Sequence, residues 1–234
     1  MEPLPDLSPM IKLFDEAIDE GEAALDEGGY GFAVQLFTER YLASLAWIAQ
    51  NVRSASVANK LAAYTRKPEF REQLRSRIEQ ADVLKRRWAI IDRALHAHSS
   101  KDYILSIPAL LPQVEGAMRD SLLLKGSLVS KGGKLYRKDL SGSGLKLDKN
   151  GMPIEIHGAQ MMLQGNPLKD HRLLHMVSEV LTTGLIAERN DILHGKNVRY
   201  NKARLFLRAL LILPAIAPDI AAFEAGNIDP SATS

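Results

Sequence analysis

Apolar residues recur at three- and four-residue steps through most of the chain, which is the period of amphipathic helices. Ile11, Phe14, Ile18 and Leu25 predict a helix over Pro9 to Leu25, ended by Gly28-Gly29. Val34, Leu36, Phe37, Tyr41, Leu45, Trp47 and Ile48 give a second helix, Phe32 to Val52, a broad apolar face, and Ser54 to Tyr64 reads as a shorter one. Pro68 suits the first turn of the next helix, which carries Phe70, Leu74, Ile78, Val83, Leu84, Trp88, Ile91 and Leu95 to about Ala97. Ser99-Ser100 stops it, and Asp102 is placed to cap a helix reaching Leu124. Pro108 and Pro112 lie inside that helix, where each removes a backbone donor and predicts a kink.

From Gly126 to Pro167 the pattern changes. Lys131-Gly132-Gly133, Ser141-Gly142-Ser143-Gly144 and Lys149-Asn150-Gly151 are turn signals between short pieces such as Leu145-Lys146-Leu147 and Ile154-Glu155-Ile156. This is an insertion between helices, either a small hairpin or a mobile loop. Helical spacing returns at Leu173, Leu174, Val177, Val180, Leu181, Leu185, Ile186, Ile192 and Leu193, with Gly195 placed to end that helix. A last helix runs from about Asn201. Leu205 to Ile216 within it is strongly apolar, but Arg208 interrupts the run and Pro214 and Pro218 follow, so it reads as a buried helix rather than a membrane span. The expected architecture is all-α. A helical extension spans residues 1–66, a helical bundle 67–225 with its insertion at 126–167, and a tail 226–234.

Composition narrows the chemistry. The chain has 234 residues, 46% apolar and 25% charged, which suits a folded protein with a sizeable core. It contains no Cys, which excludes disulfides, thiolate catalysis and cysteine-ligated zinc and is compatible with a cytoplasmic location. No basic region followed by an apolar run opens the chain, so a secretory signal is not expected. Net charge is only +2, but it is unevenly placed. Residues 1–30 hold nine acidic groups against Lys12, leaving 29 basic and 19 acidic groups in the rest. A basic body suits a polyanion partner, and a solvated surface is the plainer reading of the same charges.

Several residue groups are candidates for function. In the insertion, Lys131, Lys134, Arg137 and Lys138 surround Tyr136, and basic groups beside an aromatic can hold single-stranded nucleic acid by phosphate contacts and stacking. Glu115 and Arg119 are spaced for an intrahelical pair, or for Glu115 to face the bundle interior and orient an arginine at a site. His171 and His175 share a helical face as metal ligands do, but no third ligand is near, so neither a metal nor a cofactor is expected. His96 and His98, at a helix end, read as capping or surface residues.

The remaining group is Arg189-Asn190-Asp191-Ile192-Leu193-His194-Gly195. A histidine can take the proton from a ribose 2′-OH or protonate a leaving 5′ oxygen. An arginine fork can bind phosphate oxygens and stabilise charge that builds up on phosphorus, and an asparagine can orient either partner. The plain alternative is cations placed at the negative end of a helix dipole. At about 100° per residue, Asn190 and His194 lie nearly on one face, while Arg189 is roughly 140° from His194. The pair converges only on a distorted helix or across a two-fold axis.

The Arg189-Asn190-x-x-x-His194 motif, at the hairpin between the last two of four helices (about 69–97, 102–125, 170–194 and 201–224), resembles the HEPN superfamily. The segment Ile107 to Leu122 with Glu115 and Arg119 looks like its bacterial abortive-infection or uncharacterised members. That resemblance covers about residues 69–224. It implies a four-helix core that dimerises with the two motifs at the interface, and a metal-independent ribonuclease in phage defence, a toxin–antitoxin system or RNA processing. Its partners would be RNA, a second copy of the chain, and an antitoxin or regulatory protein, with no membrane. Arg189, Asn190 and His194 would be catalytic, with Glu115 and Arg119 supporting. Non-catalytic binding modules also belong to the superfamily.

Overall fold

The computed structural model describes residues 8–27, 30–37, 41–42, 45–46, 55–139, 144–157, 161, 191–192, 194, 196 and 203–226. These are mostly helical, with one small sheet. In chain order they form α1 (Ser8–Glu27), a 3-10 turn (Gly31–Leu36), α2 (Ala55–Tyr64), α3 (Pro68–Ile78), α4 (Asp82–Lys85), α5 (Trp88–Ser99) and α6 (Tyr103–Leu124). Strands β1 (Leu128–Lys131), β2 (Lys134–Arg137) and β3 (Glu155–Ile156) follow, and α7 (Ala203–Glu224) comes last.

The core is built on α7. Its mean hydropathy of 1.8 and its length are those of a membrane span, yet Leu205, Phe206, Leu207 and every residue from Ala209 to Ala217 are buried within the protein. A helix apolar over most of its circumference needs neighbours over most of it. Here α6, α2, α3, α4 and the 3-10 turn supply them, and Arg204, Arg208 and Asp219 mark the side that is not fully enclosed. Helix α6 contributes Ile107, Leu110, Leu111, Val114, Ala117, Met118 and Leu122 to the same core and packs on α5 with its other side. Both α6 and α7 run unbroken through two prolines spaced four apart, Pro108 and Pro112 in one, Pro214 and Pro218 in the other. Tertiary packing holds these helices where backbone hydrogen bonding is interrupted.

Two predicted helices divide. The stretch expected as one helix from Phe32 begins as a 3-10 turn and stops at Phe37, whose backbone is extended, before helical residues at 41–42 and 45–46. The stretch from Pro68 to Ala97 forms three helices. Pro68 does begin the first, but Ala81 is extended and the helix restarts at Asp82. A restarted helix exposes backbone donors, and Glu224 at the end of α7 accepts both, from Asp82 N at 2.7 Å and Val83 N at 2.8 Å. Asp102 caps α6 as expected, accepting from Leu105 N at 3.1 Å. The insertion is a hairpin with a third strand. Gly132 and Gly133 both take positive φ (58° and 75°), which a two-residue turn of this type requires, and they set the pairs Lys131↔Lys134, Ser130↔Leu135, Val129↔Tyr136 and Leu128↔Arg137.

Helix α1 crosses the body at Gly21, where a Cβ would run into the backbone carbonyl of Leu42. Gly21→Ala should therefore push α1 off the core and cost about 1–3 kcal/mol. Urea unfolding of the variant against wild type checks this, and an unchanged midpoint would refute the contact.

Candidate functional site

His194 lies in an exposed turn. Just before it, Asp191 and Ile192 are helical, Asp191 exposed and Ile192 buried in the core. Positions two apart on a helix point about 200° apart, so with Ile192 inward an exposed position 194 fits that spacing. Lys196 is also exposed. Arg189, Asn190, His171 and His175 lie outside the described residues, as does most of the predicted helix over 170–194. The chain then enters α7 nine residues beyond His194.

The first turns of α7 are fixed by an aromatic and polar cluster. Phe206 stacks on His98 with ring centroids 4.4 Å apart and planes 14° apart, and Tyr103 lies 6.3 Å from Phe206. Thr65 Oγ1 is 2.9 Å from His98 Nε2, and Arg66 donates to the Tyr103 hydroxyl at 2.7 Å. The C-terminal end of α5, the first turns of α6 and α7, and the residues just past α2 therefore meet at one place. His98, expected at the surface with His96, is fully buried, whereas His96 is exposed. The signal was available: His98 continues the core series Ile91, Leu95 at a three-residue step. Burial, with the Arg66 guanidinium nearby, lowers His98 from its ordinary 6.5 to about 4. Its Nδ1 has no partner among the described residues.

Of the supporting pair on α6, Glu115 is half-buried and Arg119 is exposed. Arg119 Nε donates to Asp120 Oδ1 at 3.1 Å. A different arginine lies against this helix. Arg87 donates to Asp120 at 2.5 Å and to Gln113 at 3.3 Å, and its guanidinium covers Gly116, where a Cβ would come within 2.5 Å of Nη1. The sequence signal for it is a glycine in mid-helix between polar residues three before and four after.

The sheet sorts the basic residues of the insertion into two faces. Side chains alternate along a strand, and directly paired residues share a face. Val129, Lys131, Lys134 and Tyr136 thus lie on one side, and Leu128, Ser130, Leu135 and Arg137 on the other. Leu128 and Ile156 are buried, so the second side faces the core. Arg137, on the core side, is half-buried and donates to the Met161 carbonyl at 2.5 Å. Lys131 and Lys134 are exposed beside half-buried Tyr136. Lys134 Nζ is 2.9 Å from Glu155, a bond that raises its pKa above the ordinary lysine value. Lys138, beyond the strand, is exposed. Of the five expected contacts, four form an exposed or outward set, Lys131, Lys134, Tyr136 and Lys138, and Arg137 is committed to the fold.

Comparison with protein-family models, with curated proteins and with solved structures gives no match.

The buried histidine has a pH consequence. A base whose pKa falls on folding favours the folded state while neutral, so its contribution is complete above pH 6.5 and is lost as the pH falls toward 4. The loss is about 1.4 kcal/mol per pH unit, to a total of about 3 kcal/mol. His98→Gln, which cannot take up that proton, should flatten the fall in stability over this window. Urea unfolding of both proteins between these pH values measures the difference, and parallel curves would refute the assignment.

Proposed function

We propose that this chain is a metal-independent endoribonuclease of HEPN type, acting as a homodimer. Arg189, Asn190 and His194 are its catalytic set. The observation that carries the reading is the exposed imidazole of His194, in the turn just beyond a helical segment pinned by buried Ile192, within a motif that places arginine and asparagine upstream of it. A solvent-facing histidine can reach a substrate.

In the proposed reaction His194 of one protomer takes the proton from a ribose 2′-OH, and the resulting oxygen attacks the adjacent phosphorus. The bond to the 5′ oxygen breaks, and the same His194, now protonated, returns the proton to that oxygen as it leaves. The products are a 2′,3′-cyclic phosphate and a 5′-hydroxyl. Arg189 stabilises the charge on the non-bridging oxygens, and Asn190 orients the histidine or the phosphate. A dimer removes the geometric obstacle that Arg189 and His194 point roughly 140° apart on one straight helix. Half-buried Glu115 is the supporting acid on α6. RNA, the second copy, and an antitoxin or regulatory protein are the proposed partners, in cytoplasmic phage defence or a toxin–antitoxin pair.

The outward face of the sheet favours RNA as the ligand, because Lys131 and Lys134 can contact phosphates while the Tyr136 ring receives a base. The same face supports a second reading, a module of the same fold class that binds RNA without cutting it.

Purified protein with labelled RNA in EDTA separates the two. Cleavage should occur with wild type and fall by a factor of about 100 or more in His194→Ala and Arg189→Ala. Mixing the two variants should restore part of it if the site is composite. Cleavage at the wild-type rate by His194→Ala would end the catalytic assignment, and no turnover in any lane would favour the binding module. Under either reading, Tyr136→Ala and Lys131→Glu should each weaken binding of single-stranded RNA by about tenfold, measured by anisotropy at fixed salt. Arg137→Gln should instead lower stability, through its bond to Met161.

A further inference from the structure

Helix α1 carries one apolar face along its whole length, and only half of that face is covered. On a helical wheel Met10, Phe14, Ala17, Gly21 and Leu25 fall within roughly 80° of each other, with Ile11 and Leu13 at the two edges. Toward the C-terminal end the face is closed, with Gly21, Ala24 and Leu25 buried against the body. Ala17 and Ile18 are half-buried. At the N-terminal end it stands open. Met10 is 62% exposed, Ile11 58%, Leu13 66% and Phe14 42%. Four large apolar side chains within five residues form a patch, not the scattered single residues of an ordinary surface.

The rims of this face are acidic. Asp15 and Glu22 flank the Ile11 edge, and Glu16 and Glu20 flank the Leu13 edge. Asp19, Asp26 and Glu27 complete the set, and Lys12 is the one basic residue of the helix, 3.7 Å from Glu16.

We propose that the open half of α1 is a docking site for a basic amphipathic helix of a partner protein. The charges select this occupant. A second copy of α1 would bring two carboxylate-lined faces together, and like charges across an interface oppose association. Nucleic acid and anionic membrane surfaces are repelled for the same reason. A helix with apolar residues at three- and four-residue steps and lysine or arginine at their margins satisfies both the patch and its rims. The open half is also collinear with the seam that already holds α1 to the body at Gly21 and Leu25, so an incoming helix would prolong existing packing. The site is independent of the RNA reading.

The test uses the full chain and a fluorescent synthetic amphipathic peptide with leucine at three- and four-residue steps and lysine between them. Two control peptides replace the lysines by glutamate or the leucines by serine. Wild type should bind the first peptide saturably in an anisotropy titration, and each control about tenfold more weakly or less. Ile11→Asp/Phe14→Asp should lose about tenfold or more in affinity while keeping the circular dichroism and melting temperature of wild type, because both side chains face solvent. Leu13→Asp, on the opposite rim, should act in the same direction. Equal affinity for wild type and variants would overturn the proposal, as would equal binding of the serine peptide. A wild-type dimer in sedimentation that Ile11→Asp/Phe14→Asp dissolves would overturn it too, since the occupant would then be a second copy.

Discussion

An α-helix whose apolar run is buried over most of its circumference can exist in water only if other elements surround it. Helix α7 imposes this condition on the described part of the protein. Its long neighbour α6 covers one side, and the short pieces α2, α3, α4 and the 3-10 turn cover the rest. Short elements suit that task because each can meet the central helix at its own angle. The breaks between α3, α4 and α5 follow from the same demand, since one straight helix from Pro68 to Ala97 could not bend around α7. The breaks leave backbone donors bare, and α7 satisfies two of them itself through Glu224. The central helix both causes the break and caps it.

At its other end α7 is held by the stack of Phe206 on His98. A neutral imidazole serves here as a flat aromatic that also bonds to Thr65, so the ring fastens the α5 end to both α7 and the turn after α2. The Arg66–Tyr103 bond closes the same cluster. Helix α7 begins nine residues beyond His194, so the end of α7 that this cluster holds is the one nearest in sequence to the motif.

Much of the fold was legible because its boundaries have local causes. Asp102 as a cap, Pro68 at a first turn and Gly132-Gly133 as a hairpin turn act through their own backbone, and the structure has each where the residues imply it. The division at Ala81 was not legible, because its cause includes the Glu224 carboxylate, 142 residues from Asp82. His98 was legible by period and misread by chemistry, since a polar residue on an apolar face needs a partner, and Thr65 is distant in sequence. In the insertion, composition suggested a basic surface but could not divide it. Register did so, by setting Arg137 opposite Leu128 on the core side and Tyr136 opposite Val129 on the outer side. Within the motif, the outward placement of His194 agrees with its spacing from Ile192, and Arg189 and Asn190 lie outside the described residues.

The uneven charge along the chain has a physical meaning beyond its sum. A net charge of +2 would neither attract nor repel a polyanion strongly, but α1 holds seven carboxylates against one lysine and leaves the rest of the chain basic. Screening at physiological salt limits each field to about 8 Å, so the two regions act locally and do not cancel. A polyanion therefore meets a more favourable field near Lys131, Lys134 and Lys138 than at α1. A cationic partner meets the reverse. Segregating the signs lets one small protein present two surfaces that do not compete for the same ligand, and the apolar residues Met10, Ile11, Leu13 and Phe14 add to α1 the grip that charge alone, screened by salt, does not provide.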